Sequence, residues 1–271
     1  MIKLFRQNKT VVDYESRSRE RELYLDLLEA TLLDTVYGSF VSNDQHWNAD
    51  RAGKPALESE IEEGQYWPAR AHTMLGRKRL RNFRFAVESV LNENIPGDIL
   101  EAGVWRGGAS IYARGVLKAF GNVSRRVFVA DSFQGLPKPD ERYPADQGDE
   151  HWQVAFLQAT RAEVESNFRA YGLLDEQVVF VEGFFEDSLP KADIGPLSVL
   201  RLDGDMYSST LQVLDQLYPK VSQGGFIIID DYHALPNCKA AVDDFRAAHK
   251  ITEAMSPIDW TAVYWRVGVG A

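Results

Sequence analysis

From Pro96 onward the apolar residues come in short β-branched runs separated by helix-period stretches. The runs predict strands at 98–103, 126–131, 177–182, 197–203 and 225–230, with two more at about 250–255 and 261–267. Between them lie predicted helices at 110–120, about 153–171, 208–220 and 238–249. Strand and helix in alternation predict an α/β fold, a Rossmann-like doubly wound sheet of mostly parallel strands. Ahead of it, Arg21–Leu33 and Met74–Leu91 read as helices, the second with a basic face (Arg77, Lys78, Arg79, Arg81, Arg84) of the kind that is usually solvated. Residues 38–69 are rich in Gly, Asp, Asn, Glu and Pro and carry Trp47, Tyr66 and Trp67, as a surface loop or a lid would. The division expected is an N-terminal helical lid and self-association region over 1–95, including a polar, loosely ordered tail over 1–20, and the sheet domain over 96–271.

The ends of the strands carry the chemistry. Leu197–Leu202 runs into Asp203-Gly-Asp205, and Gly225–Ile229 into Asp230-Asp231. A right-handed crossover between them would set the two strands in one sheet, with Asp203 and Asp230 side by side at its carboxyl edge, neighbouring strands lying roughly 4.8 Å apart. Open α/β sheets bind ligands at that edge. Carboxylates crowded there repel unless something positive sits among them, and a hard divalent cation is the obvious candidate.

Earlier strands add to the edge. Glu101-Ala-Gly103-Val-Trp-Arg-Gly107-Gly108 closes the first and opens a helix. Its glycines are spaced G-x-x-x-G-G rather than G-x-G-x-x-G, which speaks against a nicotinamide dinucleotide, and the acid in front favours a cofactor with positive charge. Asp131 ends the second strand, placed either for ribose hydroxyls or for capping a turn. Gly183-Phe184-Phe185 follows the third, where an aromatic could cover an adenine or pack in the core.

These residues in this order resemble the class I S-adenosylmethionine-dependent methyltransferases. The segments Asp98–Ser110, Phe128–Gly135, Leu200–Tyr207 and Gly224–Tyr232, with Ala71–Gly76, are similar to the macrocin O-methyltransferase family, whose members methylate sugar hydroxyls of macrolide and aminocoumarin antibiotics. The resemblance covers roughly 21–268 and implies a seven-stranded sheet. It implies that Glu101 and Gly103 face the methionine part of S-adenosyl-L-methionine, that Asp131 with Ser132 binds the ribose, that Gly183 and Phe184 border the adenine, and that Thr73 and Met74 close over the cofactor. It implies Mg²⁺ held by Asp203, Asp230 and Asp231, with Asp203 also the general base at the cofactor, and a homodimer or larger assembly. His151 and Asp205 are candidates for contact with the acceptor, and His72 is a further candidate at the closing turn. His233 would orient the aspartate pair, and His46 and His249 are expected on the surface.

Composition narrows the alternatives. In 271 residues 45% are apolar and 26% charged, enough for a sizeable core. A formal charge of −10 argues against nucleic acid or an anionic membrane as partner, and the resemblance implies a small-molecule glycoside. The single cysteine, Cys238, excludes an internal disulfide and a cysteine-rich zinc site, and with no apolar signal core at the N-terminus the expected compartment is the cytoplasm. Two other readings stand beside the sugar O-methyltransferase: a metal-dependent methyltransferase of a catechol-like phenol, and a non-catalytic nucleoside-binding module.

Overall fold

A computed structural model describes residues 18–43 and 49–268. Most of the 1–20 tail, and His46 and Trp47, lie outside the described residues. The sheet has seven strands: β1 Asp98–Ala102, β2 Val127–Asp131, β3 Val178–Glu182, β4 Leu197–Leu202, β5 Val221–Ile229, β6 Ser256–Pro257 and β7 Val263–Arg266. Their order is β3-β2-β1-β4-β5-β7-β6, parallel from β3 to β5, with β7 antiparallel to both its neighbours. This is the sheet of class I methyltransferases. The four-residue β7 alternates buried Val263 and Trp265 with half-exposed Tyr264 and Arg266, the period of a strand with one covered face.

The helices are α1 over 18–32, α2 Glu58–Glu63, α3 Arg77–Asn92, α4 Gly108–Ala119, α5 Arg161–Ala170, α6 Phe185–Ser188, α7 Tyr207–Leu217 and α8 Pro236–His249. Among the described residues no helix is long and apolar enough to cross a membrane. Two expected elements shift. The helix expected from Gln153 begins at Arg161, where the Thr160 side chain accepts from the Glu163 N–H; short 3₁₀ turns at His151–Gln153 and Ala155–Leu157 precede it. The strand expected at 250–255 is instead the two-residue β6 at Ser256–Pro257.

Leu25, Leu28 and Leu32 of α1, with Ile61, Tyr66 and Leu75, join the apolar core that α3 and α4 form on one face of the sheet. The basic face of α3 is tied up in ion pairs, although Arg81 and Lys78 keep much of their side chains in solvent. Arg77 pairs with Glu58 and Glu62, Lys78 with Glu63, Arg81 with Glu29, and Arg84 with Glu22, Asp26 and Glu88. Arg79 is buried outright. The helix binds the N-terminal segments to the body through ion pairs.

Candidate active site

The parallel strands end in step. Gly183 N–H donates to Asp131 O, Gly103 N–H to Ala130 O, Asp203 N–H to Ala102 O and Asp230 N–H to Leu202 O, all within 2.8–2.9 Å. The carboxyl edge therefore presents its residues as a row. Gly103 has φ +85°, and a Cβ there would lie 1.8 Å from the Asp203 carbonyl oxygen, so only glycine lets the β1 turn rest against the end of β4. Asp205, Trp105 and Phe133, all beyond strand ends, have φ of +57°, +46° and +54°. Non-glycine residues held there are strained, and such strain gathers at functional sites.

A cleft opens over this edge, with about 1090 Å³ of open space including its mouth. Met74, Gly103, Asp131, Ser132, Phe184, Asp203 and Asp205 line it. The Asp131 carboxylate accepts from the N–H groups of Val104 and Phe133, each at 2.8 Å, and burial raises its pKa. It caps the β1 turn and borders the cleft at once. Phe184 stands 38% exposed, an apolar surface free to be covered.

Other expected residues sit back from the cleft. Glu101 is buried beneath it, one oxygen 2.7 Å from Arg201 Nη1 and the other accepting from the Ser110 hydroxyl. Thr73 is buried and its hydroxyl accepts from the Leu75 N–H. Gly183 forms the β3 turn. His72 Nδ1 lies 2.9 Å from the Tyr171 hydroxyl, with burial lowering its pKa. His233 packs edge-on against Tyr232, and His249 stacks on Phe245.

The aspartates divide into two groups. Both oxygens of Asp230 are taken, one by Arg201 of β4 and the other by Arg79 of α3. Arg79 also lies 2.9 Å from Asp259, and Arg201 reaches Asp203 Oδ2 at 3.1 Å. Asp203, Asp205 and Asp231 instead turn toward one another, each offering an oxygen within 4.8 Å of the others. One Asp231 oxygen is buried with no hydrogen-bond partner. Burial, then repulsion from Asp230, pushes Asp203 up to about 8; burial raises Asp205 to about 6; burial and the other two carboxylates raise Asp231 well above the usual range. Three carboxylates cannot stay ionised together here without a cation, and their oxygen donors suit a hard divalent ion. The residues present fit such a group. Of the expected trio, Asp203 and Asp231 meet, Asp205 joins them, and Asp230 is held behind by guanidiniums. His151 pairs with Asp149 at 2.9 Å.

No motif or spacing pairs Arg79 or Arg201 with the aspartates. An arginine inside the apolar run of β4, Leu-Ser-Val-Leu-Arg201-Leu, was the available signal, because a charge in a buried strand demands a counter-ion.

This strand order, with a glycine turn after β1 and a carboxylate at the end of β2, defines a class I S-adenosylmethionine-dependent methyltransferase. The family model for Macrocin-O-methyltransferase (TylF) matches residues 21–267. The chain belongs to that family, and it is an O-methyltransferase. It is 47% identical over 249 residues to demethyldecarbamoylnovobiocin O-methyltransferase of Streptomyces niveus, covering 91% of this chain and 94% of the relative. It is 44% identical over 248 residues to 8-demethyl-8-(2,3-dimethoxy-alpha-L-rhamnosyl)-tetracenomycin-C 4'-O-methyltransferase of Streptomyces olivaceus, covering 91% and 93%. The solved structure of the O-methyltransferase NovP superposes with a TM-score of 0.85 at 47% identity, covering 91% of this chain and 99% of that one.

Proposed function

We propose that the protein transfers the methyl group of S-adenosyl-L-methionine to a sugar hydroxyl of a glycosylated natural product, with Mg²⁺ at the acidic cluster. The observation that carries this is the convergence of Asp203, Asp205 and Asp231 beside the cleft, with an unpartnered buried oxygen on Asp231. The rhamnosyl group in the name of the tetracenomycin relative supports a sugar acceptor over a simple phenol. A nucleoside-binding module would have no need of the cluster.

On this reading Asp131 and Ser132 hold the ribose, Phe184 and Gly183 border the adenine, and Gly103 receives the methionine part. Glu101 acts from beneath, fixing Arg201. Thr73 and Met74 close the cofactor side. The ion, when bound, supplies Lewis acidity that lowers the pKa of a neighbouring alcohol and orients it. Asp203 and Asp231 belong to its ligand set in either of two arrangements. Asp205 is the third as the side chains stand, and Asp203 then takes the acceptor's proton. If Arg79 or Arg201 releases an oxygen of Asp230, Asp230 becomes the third, and Asp205 is free to take the proton. S-Adenosyl-L-methionine, when bound, would supply the methyl, its bond to sulfur breaking as the bond to the acceptor oxygen forms and S-adenosylhomocysteine leaving, and holding the two partners at reacting distance contributes roughly 7–11 kcal/mol. Self-association is assigned to the N-terminal region, where Leu23 and Leu27 stand exposed one turn apart on α1. The compartment proposed is the cytoplasm.

Calorimetry and a methyl-transfer assay on a panel of deoxysugar glycosides test this. S-Adenosylhomocysteine should bind and NADH should not. EDTA should stop transfer and Mg²⁺ restore it. Full turnover in chelator would remove the metal, and binding of NADH alone would overturn the whole reading. Metal titration of Asp205→Asn and Asp230→Asn separates the two ligand sets, since only the true ligand loses affinity.

A further inference from the structure

The connection from β2 to α5 spans residues 132–160 and supplies much of the cleft wall, from Gly135 to Tyr143 and again at Leu157. Both its ends are fastened. The Ser132 hydroxyl donates to Gly135 O at 2.6 Å. At the far end the Trp105 indole N–H donates to Phe156 O at 2.8 Å, and the Phe156 ring stacks on Trp67 at 4.8 Å.

The middle of the loop has a different anchor. Asp146, in the 3₁₀ turn Pro144–Asp146, is completely buried. Its carboxylate accepts from the N–H groups of Tyr207 at 2.7 Å and Ser208 at 2.9 Å, the first two residues of α7. A helix start leaves such donors without partners, and the residue at the capping position here, Met206, has no side chain that could accept them. The cap comes from the opposite wall of the cleft. Beyond Asp146 the same turn carries Asp149, whose N–H donates to Asp146 O and whose carboxylate holds His151. On the other side, Tyr207 lies two residues after Asp205. A chain of contacts results: the start of α7, two residues past Asp205, then Asp146, Asp149 and His151. Another tie of this middle stretch is the Arg142–Glu186 pair, which is exposed and so contributes little.

We propose that Asp146 is a positioning residue for methyl transfer: by capping α7, which begins two residues past Asp205, it holds residues 138–153 in place beside the acidic cluster and, through Asp149, fixes His151. This rests on the function proposed above and adds to it the part of the chain that fixes the acceptor's side of the site.

Hydrogen exchange and kinetics on Asp146→Ala and Asp146→Asn decide it. In Asp146→Ala, amide exchange over 138–153 should rise at least about tenfold, the scale of losing hydrogen bonds to a charged acceptor. The KM for the glycoside turned over by the wild type should rise by a similar factor of about ten, while the KM for S-adenosylmethionine and the affinity for S-adenosylhomocysteine move less than about threefold. Asp146→Asn keeps one accepting oxygen and should fall between. Should Asp146→Ala not fold, Asp146→Asn carries the test. Wild-type exchange over 138–153 in the variants, or an equal rise in both KM values, would overturn the proposal. A wild type that binds no S-adenosylhomocysteine overturns the functional reading instead, and the exchange measurement still decides whether Asp146 closes the loop.

Discussion

Asp230 and Asp231 are neighbours in the chain and opposites in surroundings. Asp230 has a guanidinium on each oxygen, from Arg201 and Arg79, while Asp231 has a buried oxygen with no partner and two further carboxylates beside it. The same side chain is a structural ion where the fold delivers an arginine and a cation ligand in waiting where it does not. Asp203 belongs to both regions, since one oxygen reaches Arg201 while the side chain faces the cluster. The largest effect is therefore expected there. Asp203→Ala should lower turnover by about a thousandfold or more, the combined scale of losing a metal ligand and a positioned base. Affinity for S-adenosylhomocysteine should stay nearly intact by calorimetry. Near-normal turnover would show that the open region does not house the chemistry.

The arginine-bound region is broken by Arg79→Met. Its removal leaves Asp230 short of one buried partner and Asp259 without its guanidinium. Breaking a buried ion pair from one side costs about 3–5 kcal/mol, because the remaining charge stays desolvated. Urea unfolding should show a loss of that size. A change under about 1 kcal/mol, the worth of a surface pair, would mean that Asp230 finds another partner and the two regions are less distinct than their contacts suggest.

How far the sequence carried this contrast depends on the range of each interaction. Strand ends at Ala102, Asp131, Glu182 and Leu202 were legible to within a residue, because an apolar run stopping at an acid or glycine is a local signal. The start of α5 was not, since Gln153–Gln158 has helix-compatible residues and distant contacts, among them those of Trp105 and Trp67 with Phe156, hold it in 3₁₀ turns. The acidic edge was legible as an edge. Which aspartate meets which partner was not, because Arg79 approaches Asp230 from 151 residues earlier in the chain and nothing near either residue marks the pairing. Asp205 read equally as a turn residue, and its place in the cluster comes from a left-handed backbone that few non-glycine residues adopt.

The smallest effect expected is in the pH dependence of stability, where the response to Mg²⁺ marks out the open region. Asp203, Asp205 and Asp231 have folded pKa values raised above those of the unfolded chain, the first two to about 8 and about 6. The folded protein without metal then binds more protons than the unfolded chain, so this contribution is full below about pH 4 and is lost as pH rises toward 8. His72 acts in the opposite sense, its pKa being lowered by burial, but that effect is complete once the unfolded histidine has titrated near 6.5. Glu101 and Asp131 are also raised by burial and share the cluster's sign, yet neither belongs to the metal-facing group. The part of the slope that Mg²⁺ abolishes therefore reports the carboxylates that hold the ion, not Glu101 or Asp131. Between pH 6.5 and 8 in chelator, unfolding free energy should fall by about 1–2 kcal/mol, allowing for solvent reaching the cleft; saturating Mg²⁺ should flatten that fall. Asp231→Asn should weaken both the slope and the response to Mg²⁺, because it removes one of the repelling charges and one of the ligands together. A slope indifferent to Mg²⁺ would leave the contrast between Asp230 and Asp231 as one of packing, with no ion to explain why three carboxylates are gathered where no arginine reaches.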